Sequence, residues 1–74
     1  MSNLPALKPR EVIRVLEKAG FRVIRTKGSH YILKHAETRK RVIVAYHNKE
    51  MRPSTLSKLI KESGLTEDEF IDLI

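Results

Sequence analysis

His30, His35 and His47 are the side chains of this sequence whose ordinary titration lies nearest neutral pH. His30 follows Lys27-Gly28-Ser29. A tight turn there, with Gly28 free to adopt positive φ, exposes backbone N–H groups beside a basic side chain, an arrangement that holds a phosphate. An imidazole in that place can take a proton from a ribose 2′-hydroxyl and return one to a leaving 5′-oxygen. The same position also suits an ordinary half-exposed histidine, hydrogen-bonded at the start of a strand, and spacing alone leaves both readings open. His47 directly follows an apolar run and can reach the end of the sheet where a hairpin turn lies, or simply cap a strand end. His35 ends a strand beside a polar turn and is expected to face solvent. It lies five residues from His30, so strand alternation sends the two to opposite faces. The chain has no cysteine. No metal site is expected, and no P-loop or GxGxxG suggests a cofactor.

The elements that must position these groups are legible from period and punctuation. Pro9 suits a first helical turn. Val12, Ile13, Leu16 and Ala19 then form an apolar stripe, and Gly20 stands where a left-handed cap would end the helix, so the spacing predicts a helix over Pro9–Ala19. Phe21–Thr26, Ser29–His35 and Arg41–Tyr46 are short, β-branched or aromatic runs that predict three strands. The first two are separated by Lys27-Gly28 and the last two by the polar stretch Ala36–Lys40. Pro53 and Ser54 open a second helix whose Leu56, Leu59, Ile60 and Ser63 share a face, closed by Gly64. Thr66 and Glu69 have capping-box spacing ahead of a last short helix carrying Phe70, Ile71 and Leu73. The result is an α+β fold of order α-β-β-β-α. It is a three-stranded antiparallel sheet with two helices on one face, plus a short C-terminal helix. Tyr31 and Tyr46 sit among apolar strand residues and are expected to pack on the sheet rather than stack on bases.

Seventy-four residues suit one domain over residues 1–74, with 1–7 as a loose N-terminal lead. A chain of this size buries too little to enclose a large cofactor cavity, so a site should be a surface cleft. The longest apolar run, Val42–Tyr46, is far too short to span a bilayer, and no leader is visible at the N-terminus. The lack of cysteine fits a cytoplasmic location. Net charge is +6, but unevenly placed: residues 1–61 hold all 15 basic residues and four acids, whereas 62–74 hold five acids and no base. A polyanion is drawn to the first part and repelled by the tail. Candidate phosphate contacts are Arg10 and Arg14 on the first helix, Lys27, Lys34 and Arg39 on and beside the strands, and the Gly28–Ser29 backbone. Arg10, Arg14 and Lys18 form a row on the flank of the apolar stripe.

Five stretches taken together resemble the HicA toxins, the RNA-cleaving partners of HicB antitoxins: Leu16–Phe21, Lys27–Tyr31, Val42–His47, Pro53–Leu56 and Ile60–Leu65. The resemblance covers about residues 8–74. It implies a fold similar to double-stranded-RNA-binding domains, cleavage of messenger RNA without a metal cofactor, and a catalytic histidine in the Gly-Ser-His element, here His30. Ala45 and Ser54 stand where the family usually has proline and glycine. Loss of the proline removes a rigid strand end, while serine is acceptable at a helix N-cap.

These readings lead to the expectation of a toxin-type endoribonuclease acting on single-stranded messenger RNA. His30 is its acid–base group, Lys27, Gly28 and Ser29 lie at the phosphate, and His47 is a possible auxiliary. Its protein partner would be a HicB-type antitoxin, and no membrane or small-molecule cofactor is expected. The alternatives are a non-catalytic RNA-binding module of the same fold and a domain whose only partner is an antitoxin.

Overall fold

The computed structural model describes residues 4–74. Residues 1–3 of the expected lead lie outside the described residues. Helix α1 (Pro9–Lys18) is followed by strands β1 (Phe21–Lys27), β2 (His30–His35) and β3 (Arg41–Ala45). Helices α2 (Pro53–Ser63) and α3 (Glu67–Asp72) complete the chain. The sheet is antiparallel in the order β1-β2-β3. The α-β-β-β-α order and the short final helix are as the sequence predicts.

Register sorts the strand residues onto two faces. Tyr31 pairs with Val44, Leu33 with Val42 and Val23, and His35 with Phe21. This is the core face: Phe21, Leu33, Val42 and Val44 are buried against Val12, Leu16, Leu56, Ile60 and Phe70. On the opposite face His30 pairs with Lys27 and Ala45, Ile32 with Arg25 and Ile43, and Lys34 with Arg22 and Arg41. Among the described residues no helix covers that second face, and Ile43 on it is 57% exposed. The pairing slips between Val23 and Arg25, where the extra residue Ile24 puts these two on opposite faces although plain alternation would give them the same one.

Local chemistry sets the ends of the elements. Gly28 has φ +58 and Ser29 does not have positive φ, the pattern of a two-residue turn with glycine first. That turn fixes Lys27 opposite His30. Gly20, at φ +106, follows α1 and leaves no room for a side chain, since a Cβ would lie 2.7 Å from His35 Nε2. The predicted capping box is present in full: Thr66 Oγ1 accepts from Glu69 N (3.1 Å) and Glu69 Oε1 from Thr66 N (2.8 Å). Six residues are too few for a helix to stand alone. α3 is held by Phe70, which is wholly buried and contributes about 2–3 kcal/mol.

Leu7 departs from the expected loose lead. It is buried, and its carbonyl accepts from Met51 N at 2.8 Å, tying the segment before α1 to the loop before α2.

Candidate active-site cleft

His30 opens β2 directly after the Gly28–Ser29 turn, on the face no helix covers. It is exposed, and no hydrogen bond to a described residue holds its ring. Lys27 stands across the hairpin and Ala45 across β3, so His30 lies between a cation and a small side chain. Alanine at 45 leaves room beside the ring.

The other two histidines differ from it in kind. His47 Nδ1 accepts from Lys49 N at 3.2 Å, so its Nε2 carries the proton in the neutral ring. His35 is not solvent-facing as expected. Its Nδ1 accepts from both Glu37 N and Thr38 N at 3.1 Å, and its Nε2 donates to Ala19 O at 3.0 Å. Its ring also meets Phe21 edge-on, with centroids 5.0 Å apart. His35 therefore clasps the β2–β3 turn to the end of α1. The sequence hides this because Ala19 is brought to His35 only by the β1–β2 register and the missing side chain at Gly20.

His30 and His47 line one open cleft of about 470 Å³ between β3 and α2. That volume falls within the roughly 300–1,000 Å³ of ligand sites. Ile43 and Ala45 form its sheet wall. Lys49, Glu50 and Arg52 come from the loop that carries His47. Thr55, Lys58 and Glu62 recur at helical spacing along α2 and form the other wall. α2 starts at the cleft with no side-chain cap on its N-cap Arg52, so the positive end of its dipole adds to the cations there. Lys40 and Arg41 continue the basic surface past Glu62.

The remaining candidate contacts are scattered. Lys34 shares the open sheet face with Arg22 and Arg41, which puts positive charge side by side on all three strands. Arg10 lies with Lys8, Tyr46 and His47 on the far side of the histidine loop. Arg14 lies apart, beside Leu73 and Ile74, and Lys18 Nζ donates to Leu73 O at 3.1 Å. The Arg10–Arg14–Lys18 row is thus divided, with its latter part against the C-terminal segment. Arg39 is in the β2–β3 turn, at the other end of the sheet from His30. Tyr31 and Tyr46 stack on each other, centroids 4.9 Å apart, with Tyr31 packed against the core. Lys58 escapes the sequence because nothing in the helical period of α2 says that its exposed side lies across from β3, and Lys49 and Arg52 precede that helix in a loop with no period to read.

Among the described residues, no group of three His, Cys, Asp or Glu side chains is placed to hold a metal ion. No helix among them is long and apolar enough to cross a membrane. The family model described as HicA toxin of bacterial toxin–antitoxin matches residues 9–65, which include all three strands, α1, α2 and the cleft. α3 lies beyond the match. No curated protein matches the chain.

Proposed function

The chain belongs to the HicA toxin family of bacterial toxin–antitoxin pairs, and we propose that it is an endoribonuclease that cleaves messenger RNA with His30 as its acid–base group. The observation that carries this reading is the free imidazole of His30, set opposite Lys27 at the mouth of a basic cleft.

His30 removes the proton from a ribose 2′-hydroxyl. The 2′-oxygen attacks the adjacent phosphorus, the bond to the 5′-oxygen breaks, and the leaving oxygen takes a proton from the His30 imidazolium, which returns to its neutral form. The products are a 2′,3′-cyclic phosphate and a free 5′-hydroxyl. Lys27 and the backbone N–H groups of the Gly28–Ser29 turn stabilise charge developing on the phosphoryl oxygens, commonly the largest catalytic contribution. His47, in the same cleft, assists the proton leaving or returning. The chemistry needs no metal or cofactor.

A ribonuclease at work in its own cytoplasm must be covered when idle. The HicB-type antitoxin fits as a protein with an acidic face over the His30 cleft, competing with RNA. Charge complementarity speeds that encounter. α3, with Glu67, Asp68, Glu69 and Asp72, is left outside such a contact.

The test is growth on induction and cleavage of RNA in vitro, for the wild type and His30→Ala, with circular dichroism as the fold control. Loss of both activities in a folded variant supports the reading. A fully toxic variant overturns the assignment of His30. A wild type that binds RNA but never cleaves it, free of antitoxin, points to a non-catalytic RNA-binding module.

A further inference from the structure

We propose that the cleft between β3 and α2 is a subsite for one unpaired nucleotide beside the scissile phosphate, selective for a base that bears an exocyclic amine. The proposal rests on the ribonuclease reading and adds the strand's path and its base preference.

Three kinds of group meet in this cleft. Arg52 and Lys58 supply positive charge on the loop and α2 side. Ile43 supplies an exposed apolar surface on the β3 side, with Ile32 beside it on the sheet. Glu62 supplies a carboxylate one helical turn beyond Lys58, and Glu50 a second one on the loop. A bare phosphate, or the backbone of a duplex, has use only for the first. A carboxylate repels it, and an apolar surface gives it nothing. An unpaired nucleotide uses all three: phosphate to the cations, base face to the isoleucine, and amino edge to the carboxylate. In a duplex that edge is already paired, whereas in a single strand it is free to be read. A carboxylate accepts from the amines of cytosine, adenine or guanine, whereas the one donor on the pairing edge of uracil, N3–H, lies between two carbonyl oxygens that repel it.

The dimensions agree. Thr55, Lys58 and Glu62 lie along about 10 Å of helix, and the cleft begins at His30. The stacking of Tyr31 on Tyr46 leaves no aromatic shelf on this side, so Ile43 is the surface against which a base can lie.

The experiment measures binding of oligo(A), oligo(C) and oligo(U) of equal length, and of an A-form duplex, to the full chain carrying His30→Ala, by fluorescence anisotropy. Cleavage of the same RNAs by the chain with His30 intact is followed in parallel. Oligo(A) and oligo(C) should bind at least about fivefold more tightly than oligo(U). Adding Glu62→Ala should erase that preference, whereas adding Glu50→Ala should leave it in place. Arg52→Ala or Lys58→Ala should weaken all three single strands alike and lower the slope of log affinity against log salt by about 0.7 each. The proposal is overturned if oligo(U) binds as well as the others. It is also overturned if Glu62→Ala tightens all three equally, which would make the carboxylate a mere repeller of phosphate. Arg52 and Lys58 variants that bind and cleave like their parents remove the cleft from the path while leaving the ribonuclease reading intact. If the unsubstituted chain neither binds nor cleaves any RNA, both fall together.

Discussion

The two ends of β2 carry the same side chain under opposite constraints. At one end, His35 spends both ring nitrogens on the backbone, two N–H groups on Nδ1 and one carbonyl on Nε2, and lies edge-on to Phe21. At the other end, His30 has no such partner among the described residues and stands on the uncovered face opposite Lys27. His47, with one backbone bond to Nδ1, is intermediate. An imidazole whose lone pair and proton are both in use holds structure together. One with both free is available for a proton in transit. Hydrogen-bond occupancy therefore separates the three histidines.

That comparison can be broken by exchanging the consequences of mutation. His30→Ala should lower RNA cleavage by about 10²–10⁴-fold, the usual worth of a general acid–base group. Its melting temperature should stay within a degree or two of the wild type. His35→Ala should do the reverse. It removes the part-buried bond to the Ala19 carbonyl, two exposed bonds from turn N–H groups and the edge contact with Phe21, for about 1–3 kcal/mol together. In a domain this small each kcal/mol lowers the melting temperature by roughly 4–8 °C. Cleavage measured well below that transition should be close to normal. A His35 variant that melts normally but has lost cleavage would reverse the assignment of the two ends. His47→Ala should fall between, with cleavage down about tenfold and stability unchanged; tenfold in rate corresponds to about 1.4 kcal/mol.

A smaller effect sharpens the structural half. Gly20→Ala places a Cβ against His35 Nε2 and forces an L-residue to positive φ. In the wild-type background both costs apply. In the His35→Ala background only the backbone cost remains, about 1–2 kcal/mol. Thermal melts of the four chains should show a coupling between the sites of about 0.5 kcal/mol or more. Additive effects would mean that the close approach of Gly20 and His35 carries no energy.

What the sequence disclosed of all this follows a physical line. Thr66 and Glu69 were readable as a capping box because both partners lie within four residues and the bonds are local. Gly28 was readable as a turn for the same reason. His30 and His35 were readable as facing opposite ways because strand alternation is a local rule. The clasp of His35 on Ala19 was not, since it needs the hairpin register and a 16-residue separation closed. The bulge at Ile24 left one trace, two adjacent apolar residues in an otherwise alternating strand. The α2 wall of the cleft left none. Thr55, Lys58 and Glu62 are an ordinary exposed helical stripe until the packing of α2 against the sheet turns them toward β3.

The smallest expected effect tests how far the proposed RNA site extends. Arg39 has φ 62, in the left-handed region, and its N–H donates to His35 O at 3.1 Å, so it belongs to the turn that His35 clasps. Arg39→Gly removes one positive charge and relieves the conformational cost of a side chain at that φ. The relief is up to about 1 kcal/mol, and the added freedom of glycine in the unfolded chain offsets much of it. The net change in stability should be within about 0.5 kcal/mol. RNA affinity should also change little, by less than about twofold, because a single exposed charge about six strand residues from His30, some 20 Å, lies beyond the roughly 8 Å over which such charges act at physiological salt. A melt and an anisotropy titration on the same preparation check both. A tenfold loss of affinity with an unchanged melt would mean that RNA runs the whole length of the sheet and contacts the end held by His35. The two ends would then share the binding, and only the chemistry would remain confined to the end at His30.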